Sequence, residues 1–204
     1  MKKLLLFLLL FVNSTFLYAA DFNAGTHYKM VQPQSTDSGD KIEVLEFFWY
    51  GCPHCLHFEP FIQSWKKTKP ANVEFVRVPA IFRPEWEVQA RAYYALSNMG
   101  AIEDLHVKIF EAIQKHKKRL NTMNLLADFV EKYGINKAEF IKEYNSFSVD
   151  GMVRKAKKKQ KAYKIEGVPS VVVNGKYLSS GSMSGSYDNL IKIIDHLIAK
   201  ESKK

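Results

Sequence analysis

The spacing of hydrophobic and polar residues changes along the chain, and each change predicts a different element. Residues 42–50 form a run of mostly branched and aromatic side chains, which predicts a buried central strand. A helix is expected from Pro53 onward, because proline suits the first helical position, where its missing N–H would have no partner. Residues 73–78 predict a second strand that ends at Pro79, and a short strand is expected near residues 28–31.

Residues 85–163 have helical periodicity throughout. Strand signals return at residues 170–173, followed by the hairpin turn predicted at Asn174-Gly175, and residues 187–198 predict a closing helix. The predicted order is therefore a β-α-β unit, a block of helices and a β-β-α unit. This order indicates an α/β fold with a helical insertion.

The predicted elements divide most of the chain into three parts. Residues 21–84 would form the first part of an α/β domain, and residues 85–150 an inserted helical domain. Residues 151–204 would complete the first domain with a long helix, a strand entered through a proline, a hairpin and a final helix. No linker-like composition isolates the insertion, so we expect it to pack against the rest.

Residues 1–20 have the pattern of a secretory signal peptide. Lys2 and Lys3 give a positive start, residues 4–12 an apolar stretch and residues 17–20 an exit with small residues. The apolar stretch is short for a membrane span, although a retained membrane anchor is the alternative interpretation. No other segment approaches transmembrane length, so we expect an exported protein without stable membrane insertion.

The chain is basic, with 30 lysines and arginines against 21 acidic residues. Its net charge of +9 falls to +7 without Lys2 and Lys3. A basic surface favours acidic partners or a membrane face, but nucleic acid is not expected, because the chain has an export signal and no recognisable binding motif. The basic run at residues 154–164 is interpreted as a solvated helix face. No dimerisation segment stands out, so we expect a monomer.

Cys52 and Cys55 are the only cysteines in the sequence, and Cys52-Pro53-His54-Cys55 follows the predicted strand. A lone C-x-x-C pair between a strand and a helix is typical of a dithiol redox centre, since three residues make almost one helical turn. A disulfide there closes a very small loop and adds little stability. A stapling disulfide and a metal site with His57 as third ligand are the alternatives.

The two cysteines are expected to have different roles. Cys52 lies where the helix begins, so the partial positive charge of the helix N-terminus favours its thiolate, and His54 can add positive charge or a donor. Cys55 lies one turn into the helix and is expected to be more buried, as the resolving thiol. No cofactor and no metal are expected.

Two further positions are candidates for roles at this site. Glu46 lies in a strand that is apolar on both sides, so burial would raise its pKa and let it relay the proton of Cys55. An ordinary ion pair with Arg77 on the neighbouring strand is the alternative. Val168-Pro169 precedes the strand at residue 170, where a cis bond would expose backbone groups to an extended peptide. A trans bond is the alternative that general frequencies favour.

Eight short sequence motifs are spread along the chain, and together they carry a family resemblance. They are Val44-Leu45-Glu46-Phe47-Phe48, Cys52-Pro53-His54-Cys55, Phe58-Glu59, Phe110-Glu111, Gln114-Lys115, Asn145-Ser146-Phe147, Gly167-Val168-Pro169 and Val173-Asn174-Gly175-Lys176-Tyr177. With these segments the chain resembles the DsbA family of exported thiol-disulfide oxidoreductases, within the thioredoxin superfamily. The resemblance covers essentially the whole chain after the signal segment.

The resemblance implies a thioredoxin fold with an inserted all-helical domain. It implies a redox-active disulfide in which Cys52 is the nucleophile and Cys55 the resolving cysteine. It also implies a cis bond at Pro169, with Pro53, Val168 and Pro169 contacting the substrate.

Four charged or titratable residues acquire roles from the same resemblance. His54 would tune Cys52, and Glu46 corresponds to the family's buried acid near the thiols. Glu59 corresponds to a second acid with a smaller effect. Arg77 stands where the family has a lysine, so the charge is kept but the geometry of the pairing differs.

The resulting hypothesis is a periplasmic dithiol oxidase that donates the Cys52–Cys55 disulfide to unfolded exported polypeptides with free cysteines. A DsbB-like membrane protein would reoxidise it. The nearest alternative keeps the fold and reverses the direction, as a reductase or isomerase held in the reduced state. A non-catalytic module that binds metal or peptide is the alternative from another class.

Overall fold

One mixed five-stranded sheet lies at the centre of the described part of the protein. A computed structural model describes residues 22–203, so the predicted signal peptide, residues 1–20, lies outside the described residues. The strands are Lys29–Met30 (β1), Ile42–Phe48 (β2), Val73–Pro79 (β3), Ser170–Val173 (β4) and Tyr177–Ser180 (β5). They are arranged in the order β1-β5-β4-β2-β3, and the strand predictions are confirmed.

Helices connect and cover this sheet. They are α1 (Pro53–Thr68), α2 (Glu87–Asn98), α3 (Ile102–Gln114), α4 (Met123–Glu131), α5 (Lys137–Tyr144), α6 (Phe147–Ala162), α7 (Gly181–Ser184) and α8 (Tyr187–Glu201), with a 3₁₀ turn at Pro84–Trp86. The short α7 was not predicted. The division predicted between residues 150 and 151 falls inside α6. None of the helices within residues 22–203 is long and apolar enough to cross a membrane.

The central strand β2 fixes which charged residues meet. It pairs in parallel with β3 and antiparallel with β4, and the register sets Glu46 opposite Arg77 on β3. Parallel pairing needs a crossover connection, which α1 provides. Neighbouring residues in register point to the same face of a sheet, so strand pairing alone places these two side chains together.

The alternation of side chains along β2 builds two hydrophobic layers. Val44 faces α1 and α8, where it packs with residues such as Ile62 and Ile194. Leu45 and Phe47 face the other way and pack in a cluster with α6. Glu46 shares the Val44 face, so its carboxyl points toward α1.

The end of β2 enters the core of the helical block. Phe48 and Tyr50 pack there with buried residues of α2 and α3, in the same cluster as Cys52 and Cys55. The two thiols therefore lie at the junction between the sheet and the helical block. This placement confirms the expectation that the insertion packs against the rest.

The predicted hairpin turn is present between β4 and β5. Asn174 and Gly175 both have positive φ, of 48° and 66°. Three residues, 174–176, connect the paired Val173 and Tyr177, and asparagine and glycine adopt the positive φ of the first two positions most readily. The turn brings β5 back beside β4, and β4 begins directly after Pro169.

Candidate active site

The redox turn places Cys52 at the N-cap of α1 and Pro53 at the first helical position. Cys55 lies one turn into the helix and is fully buried, whereas Cys52 is 8% exposed. Both cysteines are free thiols in this structure. The predicted difference in burial is confirmed, and only Cys52 can be approached from solvent.

Hydrogen bonds at the helix start lower the pKa of Cys52 to about 6. The Cys55 thiol makes the largest contribution; burial opposes it, and the backbone N–H groups of Cys55 and His54 add to it. The positive charge of His54 is the smallest of these effects. Cys52 is therefore mostly thiolate at pH 7 in the reduced protein. Burial and the neighbouring Cys52 raise the pKa of Cys55 well above its usual value.

Removing the Cys55 thiol should raise the pKa of Cys52 more than removing His54 does. The Cys55→Ala variant loses the S–H donor but keeps the helix N-terminus, whereas His54→Ala loses an exposed charge that solvent ions screen. The pKa is measured from the ultraviolet absorbance of the thiolate against pH in reduced protein. Cys52→Ser is the control, because it should show no titration near pH 6. A larger shift in His54→Ala than in Cys55→Ala would contradict this order of effects.

The segment before β4 faces the redox turn. The Val168-Pro169 bond is cis, as the resemblance implied, so that prediction is confirmed. When it is protonated, the Cys52 thiol donates to the Val168 carbonyl oxygen, with Sγ and O 3.4 Å apart. Tyr187 on α8 donates through its hydroxyl to the His54 carbonyl oxygen at 3.0 Å. Three segments far apart in the sequence therefore meet at Cys52.

Grooves flank the redox turn on two sides. One groove of about 680 Å³ is lined by His54, Val168 and Pro169, together with residues of β5 and α7. Pro53 faces another groove, of about 810 Å³, between α1 and α3. The three residues predicted to contact substrate are thus close to Cys52 but divided between the two grooves.

A buried ionic cluster lies behind the thiols. The Arg77 guanidinium donates from Nε to Glu46 Oε2 at 3.0 Å and from Nη2 to Glu59 Oε1 at 2.7 Å. All three side chains are at most 3% exposed. One arginine therefore bridges two carboxylates that come from different elements, β2 and α1.

The two carboxyl groups of this cluster have opposite protonation behaviour. Burial raises the pKa of Glu46 to about 7, although Arg77 acts to lower it and the charge of Glu59 adds to the rise. Burial would also raise the pKa of Glu59, but His106 and Arg77 lower it to about 2. Glu46 is thus paired with Arg77 and also able to exchange a proton near pH 7. Its charge is close enough to Cys55 to raise that thiol's pKa.

Sequence reasoning missed two residues of this cluster, His106 and Tyr50. His106 on α3 is 1% exposed, and its Nδ1 lies 2.8 Å from the Tyr50 hydroxyl. The available signal was the helical spacing of His106 with Ile109 and Phe110, which puts a polar side chain on an apolar face. That pattern indicates a buried histidine but cannot show what it contacts.

The alternative interpretation of the cysteine pair as a metal site requires that Cys52, Cys55 and His57 surround one metal ion. Within residues 22–203, no three His, Cys, Asp or Glu side chains have an arrangement that could hold a metal ion. His57 is exposed, whereas Cys55 is fully buried.

Sequence comparisons connect this geometry to known proteins. A family model described as a DSBA-like thioredoxin domain matches residues 76–190, a stretch that begins after the two cysteines. The thiol:disulfide interchange protein DsbA of Pseudomonas aeruginosa is 43% identical over 205 residues, covering 98% of this chain and 97% of that protein. The protein of the same name from Burkholderia cepacia is 43% identical over 176 residues, covering 86% and 82%.

Comparisons with solved structures identify proteins of the same name. The crystal structure of Pseudomonas aeruginosa DsbA aligns with a TM-score of 0.87 and 44% identity, over 91% of this chain and 99% of that one. The oxidoreductase DsbA from Xylella fastidiosa aligns with a TM-score of 0.82 and 30% identity, over 87% and 96%. The predicted fold class, a thioredoxin fold with a helical insertion, is confirmed.

Proposed function

The chain belongs to the DSBA-like thioredoxin domain family of thiol-disulfide oxidoreductases, and on this premise we propose that it passes the Cys52–Cys55 disulfide to other proteins as a dithiol oxidase. The observation that carries the proposal is the acidic Cys52 thiol beside the fully buried Cys55. A stabilised thiolate favours the reduced form, so it makes the disulfide more oxidising.

The reaction takes place in two exchange steps. A substrate thiolate attacks Cys52 Sγ, the Cys52–Cys55 bond breaks, and its electron pair leaves on Cys55. Glu46 supplies the proton that neutralises Cys55 and becomes a carboxylate paired with Arg77. A second substrate thiolate then attacks the substrate sulfur of the mixed disulfide and releases Cys52 as a thiolate. The substrate gains a disulfide and the enzyme becomes a dithiol.

The partners follow from this chemistry. Substrates are unfolded, exported polypeptides with free cysteines, which lie in the groove lined by Val168 and Pro169. The signal segment at residues 1–20 sends the protein to the periplasm, where disulfides persist. A DsbB-like membrane protein takes up the electrons and restores the disulfide.

The redox potential decides the direction of exchange. A fall of the Cys52 pKa to about 6 stabilises the reduced form at pH 7 by about 1.4 kcal/mol, or about 30 mV. This shift alone does not set the direction, but a dithiol oxidase should equilibrate with glutathione buffers at a potential less negative than ~−180 mV, the value of protein disulfide isomerase. Stoichiometric oxidation of a reduced, unfolded test protein should accompany it.

A potential near that of thioredoxin, ~−270 mV, would contradict an oxidase and favour a reductase held reduced. The Cys52→Ser protein is the matched control for this titration, since it cannot form the disulfide and should show no redox equilibrium.

A further inference from the structure

His106 occupies a position that the exchange reaction itself does not use. Its ring lies among Phe48, Tyr93 and Phe110, edge-on to each of these aromatic rings. Its Nε2 lies 3.5 Å from Glu59 Oε2, and these two atoms have no hydrogen-bond partner within the described residues. Buried polar atoms without hydrogen-bond partners are rare in native proteins, so the placement of this imidazole against a buried carboxylate needs a physical explanation.

Tyr50 and Glu59 together determine which ring nitrogen of His106 carries the proton. Burial, followed by the charge of Arg77, lowers the pKa of His106 to about 4, so the ring is neutral near pH 7 and has one N–H. Burial raises the pKa of Tyr50 well above its usual value, so its hydroxyl is neutral and can either donate to Nδ1 or accept from it. The Glu59 carboxylate beside Nε2 favours the tautomer with the ring proton on Nε2, in which Tyr50 donates to Nδ1. The other tautomer would set a nitrogen lone pair against the carboxylate.

The two oxygens of Glu59 have unequal support. Oε1 accepts from Arg77 Nη2 and from Gln63 Nε2, both at 2.7 Å. Oε2 has no hydrogen-bond partner within residues 22–203 and lies 3.5 Å from His106 Nε2. Without His106, the Nε–Nη2 edge of Arg77 can turn onto both oxygens of Glu59, because a guanidinium can bind both oxygens of one carboxylate. Turning this edge fully onto Glu59 would take Nε away from Glu46.

We propose that His106, oriented by Tyr50, is a positioning residue of the exchange reaction. By directing its N–H at Glu59 Oε2 it leaves Arg77 free to bridge Glu59 and Glu46. It thereby keeps the Glu46 proton transferable to the leaving Cys55. The inference rests on the proposed function, since Glu46 acts there as the acid of the first exchange step.

Within the described part of the chain, the neighbours of His106 show which group its Nε2–H can face. Facing it are Tyr50 after β2, Glu59 on α1, Arg77 on β3 and Tyr93 on α2, with Glu103 on its own helix. Glu103 is bound to Lys66 at 2.6 Å. Burial raises the pKa of Tyr93, so it stays neutral near pH 7. The N–H at Nε2 is therefore directed at the Glu59 carboxylate.

The test is the pKa of Glu46 in oxidised protein, where no thiol titrates. Carboxyl carbon-13 NMR against pH reports it, and Glu46→Gln assigns the signal. His106→Leu should raise this pKa by about one unit or more, because Glu46 loses its arginine. Tyr50→Phe should raise it by less. His106→Gln restores an N–H donor and should return the pKa close to that of the natural protein.

The kinetics should follow the NMR result. The rate at which a small thiol reduces the disulfide depends on pH. The pH at which this rate changes should rise in His106→Leu by as many units as the Glu46 pKa does. His116→Leu is the matched control, because His116 is exposed just beyond the same helix and should leave both readouts unchanged.

An unchanged or lowered Glu46 pKa in His106→Leu would overturn the inference while the oxidase activity of the natural protein stays intact. Failure of the natural protein to oxidise thiols would instead overturn the proposed function. If His106→Leu does not fold, the Glu46 pKa is measured in Tyr50→Phe, which removes one oxygen atom only. A raised pKa there supports the inference, and an unchanged or lowered pKa overturns it.

Discussion

Replacing Cys52 by serine is expected to abolish the oxidation of a reduced, unfolded test protein, to the level of buffer alone. The reason is geometric as well as chemical, since Cys52 is the thiol at the surface and Cys55 is fully buried. A serine hydroxyl is close in size but cannot form the disulfide. The measurement is the rate of disulfide formation in the test protein, with thermal unfolding to show that the variant is folded.

The matched variant Cys55→Ser separates the two cysteines. It cannot form the internal disulfide and should also fail as an oxidase. It should still form a mixed disulfide with oxidised glutathione through Cys52, which intact-protein mass spectrometry detects. Cys52→Ser should form none. Adduct formation in Cys52→Ser, or substantial oxidase activity in either variant, would contradict the assignment of Cys52 as the exchanging thiol.

Replacing Arg77 by methionine is expected to destabilise the oxidised protein by about 3–5 kcal/mol. Arg77 bridges Glu46 and Glu59 where all three side chains are at most 3% exposed, so its loss leaves a buried carboxylate without its cation. A loss of this size is a large part of the stability of a typical domain. Urea unfolding at pH 7 measures it.

The pH dependence of this loss identifies its cause. In the natural protein the pKa of Glu59 is depressed to about 2, so its contribution to stability is complete above its unfolded pKa and is lost as the pH falls through about 2. In Arg77→Met only His106 and Gln63 still oppose burial, so the pKa of Glu59 should rise. The variant then gains stability relative to the natural protein as the pH falls and this group becomes neutral.

Lys41→Met is the control for this experiment. Lys41 pairs with Glu74 on the same strand as Arg77, at 3.1 Å, but both side chains are about half exposed. Exposed pairs contribute ~0–1 kcal/mol, so this variant should unfold close to the natural protein. A similar small loss in Arg77→Met would show that the buried bridge contributes little to stability.

The resemblance assigned His54 the role of tuning the Cys52 pKa, but in the structure its effect on that pKa is small. The C-x-x-C pattern and the resemblance both favoured His54 as the residue that tunes Cys52. In the structure its side chain is exposed, and its charge is the smallest of the effects that lower the Cys52 pKa. The Cys55 thiol and the first backbone N–H groups of α1 contribute more, because they are close to the sulfur and partly shielded from water.

The Glu46 alternatives were not exclusive. Sequence reasoning weighed a proton relay against an ion pair with Arg77, since the strand pattern shows burial but not the partners. The structure contains the ion pair, and the pKa of about 7 arises because burial and Glu59 act against Arg77. Only the spatial arrangement of all three groups sets that balance.

The sequence by itself determined most of the elements and the redox turn. Periodicity, Pro53 at the helix start and Asn174-Gly175 at the hairpin act over a few residues, so local patterns are sufficient to predict them. Tertiary structure alone decided the surroundings of the thiols. Val168, 116 positions after Cys52, accepts from its sulfur, and His106 meets Glu59 across two helices. Such contacts depend on how distant elements pack, and no local pattern contains that information.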